Sequence, residues 1–152
     1  MHAAESAGYV IRLEHIQVAI DKATADERLN LEPLVDAVRE LDELERSTPE
    51  RVAKAQADAG IEKRPLSKAA GEAIATSSDA AREIDRLLTR KCNRADSAVA
   101  VLKEILTIAK QNMKSANWLD NATPDDDPTK AIYSELYWKR REFVSILREL
   151  IA

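Results

Sequence analysis

Glycine is scarce in this chain of 152 residues: only Gly8, Gly60 and Gly71 occur. Folds rich in β-hairpins use glycine at their tight turns, so the scarcity argues against an all-β fold. A single cysteine, Cys92, leaves no internal disulfide to form. Two histidines, His2 and His15, join it in no CxxC, HExxH or paired Glu-x-x-His pattern, so neither a metal site nor a cofactor is expected. No glycine-rich phosphate loop is present. No run of residues reaches the apolar length of a membrane span. Residues 1–8 lack the basic-then-apolar order of a signal peptide, so the expected location is the cytoplasm. Without a secretion signal the sequon Asn121-Ala122-Thr123 is read as chance. Asp125-Asp126-Asp127 lacks the glycine and distal glutamate of a calcium loop and reads as solvated charge.

What the chain has is helix-forming residues: Ala, Leu, Glu, Lys and Arg dominate. Its length suits one domain with a real core. The strongest pattern is an apolar seam of Ile84, Leu88, Cys92, Ala95, Val99, Leu102, Leu106, Ala109, Met113 and Ala116. Steps of three and four place these side chains on one stripe of a helix. The seam predicts a long helix over 79–118, kinked or split near Asn93, where the alternation breaks. A repeat near 3.5 also suits a coiled-coil seam, part of which could face a second copy in a homodimer.

Other elements are read around this one. A first helix is expected over 7–23, with His15 on its polar edge. A second is expected over 31–46, built on Leu31, Leu34, Val35, Val38 and Leu41. Its outer cover includes Glu32, Asp36, Glu40, Asp42, Glu43 and Glu45. Thr48 and Pro49 signal a third start, and Gly60 a stop. A short helix follows over 67–76. The stretch 47–78 has few large apolar anchors and is expected to be peripheral or mobile. Residues 121–128 read as a loop, with Asp127 capping a last helix that runs to about residue 151. The fold class is therefore an all-α bundle of five or six helices in one domain, 1–152.

Charge is segregated. Residues 21–50 hold ten acids and four bases, whereas 82–119 hold eight bases and four acids. Arg82, Arg86, Arg90 and Arg94 recur every four residues, opposite the apolar seam. Guanidinium forks bind phosphates and carboxylates, so this stripe is a candidate for nucleic acid or an acidic partner. Local pairs such as Glu83 with Arg86, or docking on the acidic second helix, account for it equally simply. A helix-turn-helix reading of AGEAIATSSDAAREI (70–84) fits poorly, since Ile74 stands where a turn glycine is common.

Five of the six aromatic residues follow position 117: Trp118, Tyr133, Tyr137, Trp138 and Phe143. Phe143 falls on the core stripe of the last helix, while Trp138 projects away from it. Trp138, Tyr133, Tyr137, Arg140 and Arg141 combine the residue types that dominate binding hot spots, and form the candidate partner site. No nucleophile–base signature accompanies His15. The reading favoured is a non-catalytic protein-interaction module of the adaptor, inhibitor, immunity or chaperone kind. The alternative is a nucleic-acid-binding protein using the arginine stripe. A small-molecule sensor or an enzyme ranks behind both.

Overall fold

The computed structural model describes residues 11–23, 29–60 and 78–152. Five α-helices lie there: α1 (Leu13–Lys22), α2 (Glu32–Asp58), α3 (Ser78–Arg94), α4 (Ala98–Ala122) and α5 (Lys130–Ile151). No strand occurs among the described residues, and the chain is an all-α helical bundle. The expected helical turn at 7–10, the short helix over 67–76 and most of the 70–84 stretch lie outside the described residues.

Two helices share the apolar seam. α3 ends at Arg94, and α4 opens at Ala98. The break falls just beyond Asn93, and its cause is the cap at Ser97. Ser97 adopts extended backbone (φ −148°, ψ 165°), which lets its Oγ accept the Ala100 N–H at 3.1 Å. A capping residue cannot also be helical, so the chain turns here and α4 folds back along α3. Leu88, Cys92, Leu102, Ala109 and Ala116 of the seam are all buried within the single chain.

In the second region the expected boundary is overturned. Thr48 and Pro49 do not start a new helix; α2 runs through them from Glu32 to Asp58. Pro49 has no N–H to give to the Glu45 carbonyl. The Ser47 and Thr48 hydroxyls bond to the neighbouring Leu44 carbonyl, at 2.9 and 2.7 Å, and Thr48 is buried. Beyond the proline, Arg51 reaches Glu135 of α5 at 2.6 Å and holds the extension against that helix. α2 stops where the sequence predicts, with Gly60 in the left-handed region (φ 70°) that glycine tolerates.

α4 and α5 pack antiparallel, since Asn112 meets Arg140 and Asp120 meets Lys130. α2 also runs antiparallel to α5, and α1 packs on both α2 and α4. The helices α1, α2, α5 and α4 thus surround one core, with α2 and α4 across its diagonal. α3 lies outside on α1 and α4. Ile16, Leu34, Leu102, Ile105, Phe143 and Leu147 fill the centre. Burying each such side chain is worth roughly 1.5–3 kcal/mol, which is what holds the bundle. Ahead of α5, Asp127 accepts the backbone N–H and hydroxyl of Thr129, at 2.8 and 2.5 Å. It therefore tethers the helix start, as its sequence position suggests, although the capping position itself is Thr129. No helix among the described residues is long and apolar enough to cross a membrane.

Candidate functional site

α5 sorts the five residues of the aromatic candidate site by their angle on the helix. Trp138 is 56% exposed. Tyr137 meets it edge-on, with centroids 5.4 Å apart and an interplanar angle of 64°. The Arg141 guanidinium lies 4.9 Å from the Trp138 ring centre, a cation–π distance. These three form one surface feature: a large indole steadied by an aromatic edge and a cation.

Tyr133 and Arg140 are not part of that surface, because both are buried. Their positions continue the core stripe of α5, spaced three and four from Leu136, Phe143 and Leu147. Burial pushes the Tyr133 phenol above its ordinary pKa. Arg140 donates from Nε to Glu45 Oε1 at 2.9 Å and from a terminal nitrogen to the Asn112 carbonyl at 2.8 Å. One guanidinium thus joins α5 to α2 and α4. Its partner Glu45 is buried too, contrary to the outer position expected for it. Among the described residues Glu45 Oε2 has no hydrogen-bond partner. Desolvation raises the Glu45 pKa and outweighs the attraction of Arg140.

Arg82, Arg86, Arg90 and Arg94 are all exposed along the outside of α3. One terminal nitrogen of Arg86, Nη2, donates to both oxygens of Glu83, at 2.8 and 2.7 Å, the local pair that the spacing predicts. The acidic helix α2 is not what they dock on: it lies against α5 and α1. Its Glu40 takes Lys139 at 3.1 Å.

His15 is buried rather than on a polar edge. Its Nδ1 accepts the Arg12 backbone N–H at 2.9 Å, which places the ring proton on Nε2. Nε2 lies 3.0 Å from Thr89 Oγ1 and 3.4 Å from Asp85 Oδ1. Arg12 closes the group with a 2.8 Å ion pair to Asp85. Both ring nitrogens are committed inside the protein, so the cluster works as a clamp between α1 and α3. Desolvation lowers the His15 pKa, against the pull of Asp85. Cys92 is likewise buried, and burial pushes its thiol up to about 11.

Among the described residues no group of three His, Cys, Asp or Glu side chains could hold a metal ion. Surface depressions lie among the described residues. One, of about 490 Å³, runs beside Trp118 between Lys114, Asn117 and Asn121. A smaller one of about 110 Å³ lies between α3 and α4, under Ile84, Leu87 and Ile108. No protein-family model matches the chain, and no curated protein or solved structure is similar to it.

Proposed function

We propose that this chain is a non-catalytic protein-interaction module, of the adaptor, inhibitor, immunity or chaperone kind, acting in the cytoplasm. Its partner docks on the outer face of α5 through Trp138, with Tyr137 and Arg141 beside it. The observation that carries this reading is the 56% exposure of Trp138 on a rigidly held helix. An indole left in water gives up burial energy, and tryptophan and arginine are the residues that anchor interfaces. The side of α5 behind it is fixed by Arg140 and Phe143, so the anchor is presented with little conformational freedom to lose.

The test is affinity capture from native host lysate, with and without nuclease, using wild type and Trp138→Ala. A protein that co-purifies despite nuclease and is lost with Trp138→Ala is expected. Since Trp138 is exposed, its replacement should leave the melting temperature almost unchanged. Capture unaffected by the substitution would remove Trp138 from the interface.

A second reading rests on the exposure of the α3 arginine stripe, Arg82, Arg86, Arg90 and Arg94. It is nucleic-acid binding through phosphate contacts, and it predicts an affinity that falls steeply with salt. Loss of the captured material on nuclease treatment would bring this reading forward.

A further inference from the structure

The outer face of α4 carries Lys103, Lys110 and Lys114, and no acid among them. Lys103 and Lys114 are exposed and Lys110 is half-buried. The outer face of α2 carries Glu32, Asp36 and Glu43, all exposed. None of these six forms an ion pair or side-chain hydrogen bond among the described residues. Both triads span eleven residue steps, about 16 Å along a helix. Their internal spacing matches. Glu32, Asp36 and Glu43 step by four and seven; read backwards, so do Lys114, Lys110 and Lys103.

We infer that the acidic face of α2 in one copy docks antiparallel on the lysine face of α4 in a second copy. In that register the three acids meet the three lysines one to one, and Arg39 falls opposite Thr107 rather than a lysine. The two faces cannot pair within one molecule, because α2 and α4 lie across the diagonal of the bundle and their outer faces point to opposite sides. For the same reason the contact does not close on itself as a two-fold dimer. Each copy leaves one acidic and one basic face open, so association proceeds head to tail. The contact is polar and exposed, hence weak, reversible and sensitive to salt. It uses surfaces apart from Trp138 and stands independently of the partner proposed above.

Sedimentation velocity of the purified chain tests this. At about 20 mM salt, where screening extends roughly 20 Å, the weight-average mass should rise with concentration above the 16.9 kDa of one chain. At about 0.5 M salt it should return to that of the monomer. The triple variants K103E/K110E/K114E and E32K/D36K/E43K should each remain monomeric, and an equal mixture should recover association. Circular dichroism confirms their fold, and if a reversal unfolds the chain, K103Q/K110Q/K114Q and E32Q/D36N/E43Q decide the matter as monomers. A wild type that stays monomeric at low salt and millimolar concentration overturns the inference. So does an association that survives the neutral triple variants, which would place the contact elsewhere.

Discussion

His15 shows how much a single side chain can do when both of its ring nitrogens are engaged. It caps the start of α1 with Nδ1 and reaches α3 with Nε2. Its neutral form is therefore the folded form, and its pKa is lowered from 6.5. A depressed pKa means that the unfolded chain takes up the proton first as pH falls. The histidine's contribution is fully present above about pH 6.5 and is lost as pH drops through the lower, folded value. We expect the melting temperature to fall more steeply as pH drops below about 6.5 in wild type than in His15→Gln, which keeps a donor toward Thr89. Parallel profiles for the two proteins would show that His15 titrates normally. The sequence showed His15 between Ile11 and Val18 but not its burial, because the residues that cover it come from α3, seventy positions later.

At the scale of the element, α2 and the α3–α4 pair went opposite ways against local signals. A proline after Ser-Thr reads as a helix start, yet α2 continues through Pro49. A long apolar seam allows one helix, kinked or split near Asn93, and Ser97 makes the split. In the first case the burial of Thr48 and the Arg51–Glu135 contact with α5 override a local preference; in the second the cap at Ser97 fixes where the seam divides. Pro49→Ala should restore the missing bond to the Glu45 carbonyl and stabilise the protein by about 1–3 kcal/mol in chemical denaturation. A loss of stability would mean that the bend at Pro49 is needed to seat α2 on α5. Fold class and the approximate limits of the last helix were legible because its apolar stripe is long and local. Glu45 and Arg140 were legible in principle as well. Each continues an apolar stripe at three-and-four spacing, Leu34–Val38–Leu41–Glu45 and Leu136–Arg140–Phe143–Leu147, and they bear opposite charges. Counting charged residues by composition, rather than by their angle on the helix, hides this. The same counting grouped Arg140 and Tyr133 with Trp138, whereas their angles separate core from surface.

At the scale of the molecule, the Glu45–Arg140 pair joins three helices through two residues 95 positions apart. Removing either partner leaves the other buried without this counter-charge. Arg140→Met or Glu45→Leu alone should therefore cost about 3–5 kcal/mol, whereas the double substitution should come back close to wild type. Strictly additive losses in denaturant titrations would show that the pair acts as two independent packing positions. α5 supplies Ile132, Tyr133, Leu136, Phe143, Val144 and Leu147 to the interior, and both α2 and α4 lie against it. It is also made after the other four helices. Until α5 arrives, α1 alone covers the inner faces of α2 and α4, and part of their leucines and valines faces water or one another. Closure of the core is thus a late event joining residues distant in sequence, which slows folding. During synthesis this chain must pass through a stage in which its stickiest surfaces are open, and that interval, rather than the finished bundle, is when it is most exposed to aggregation and to capture by a chaperone.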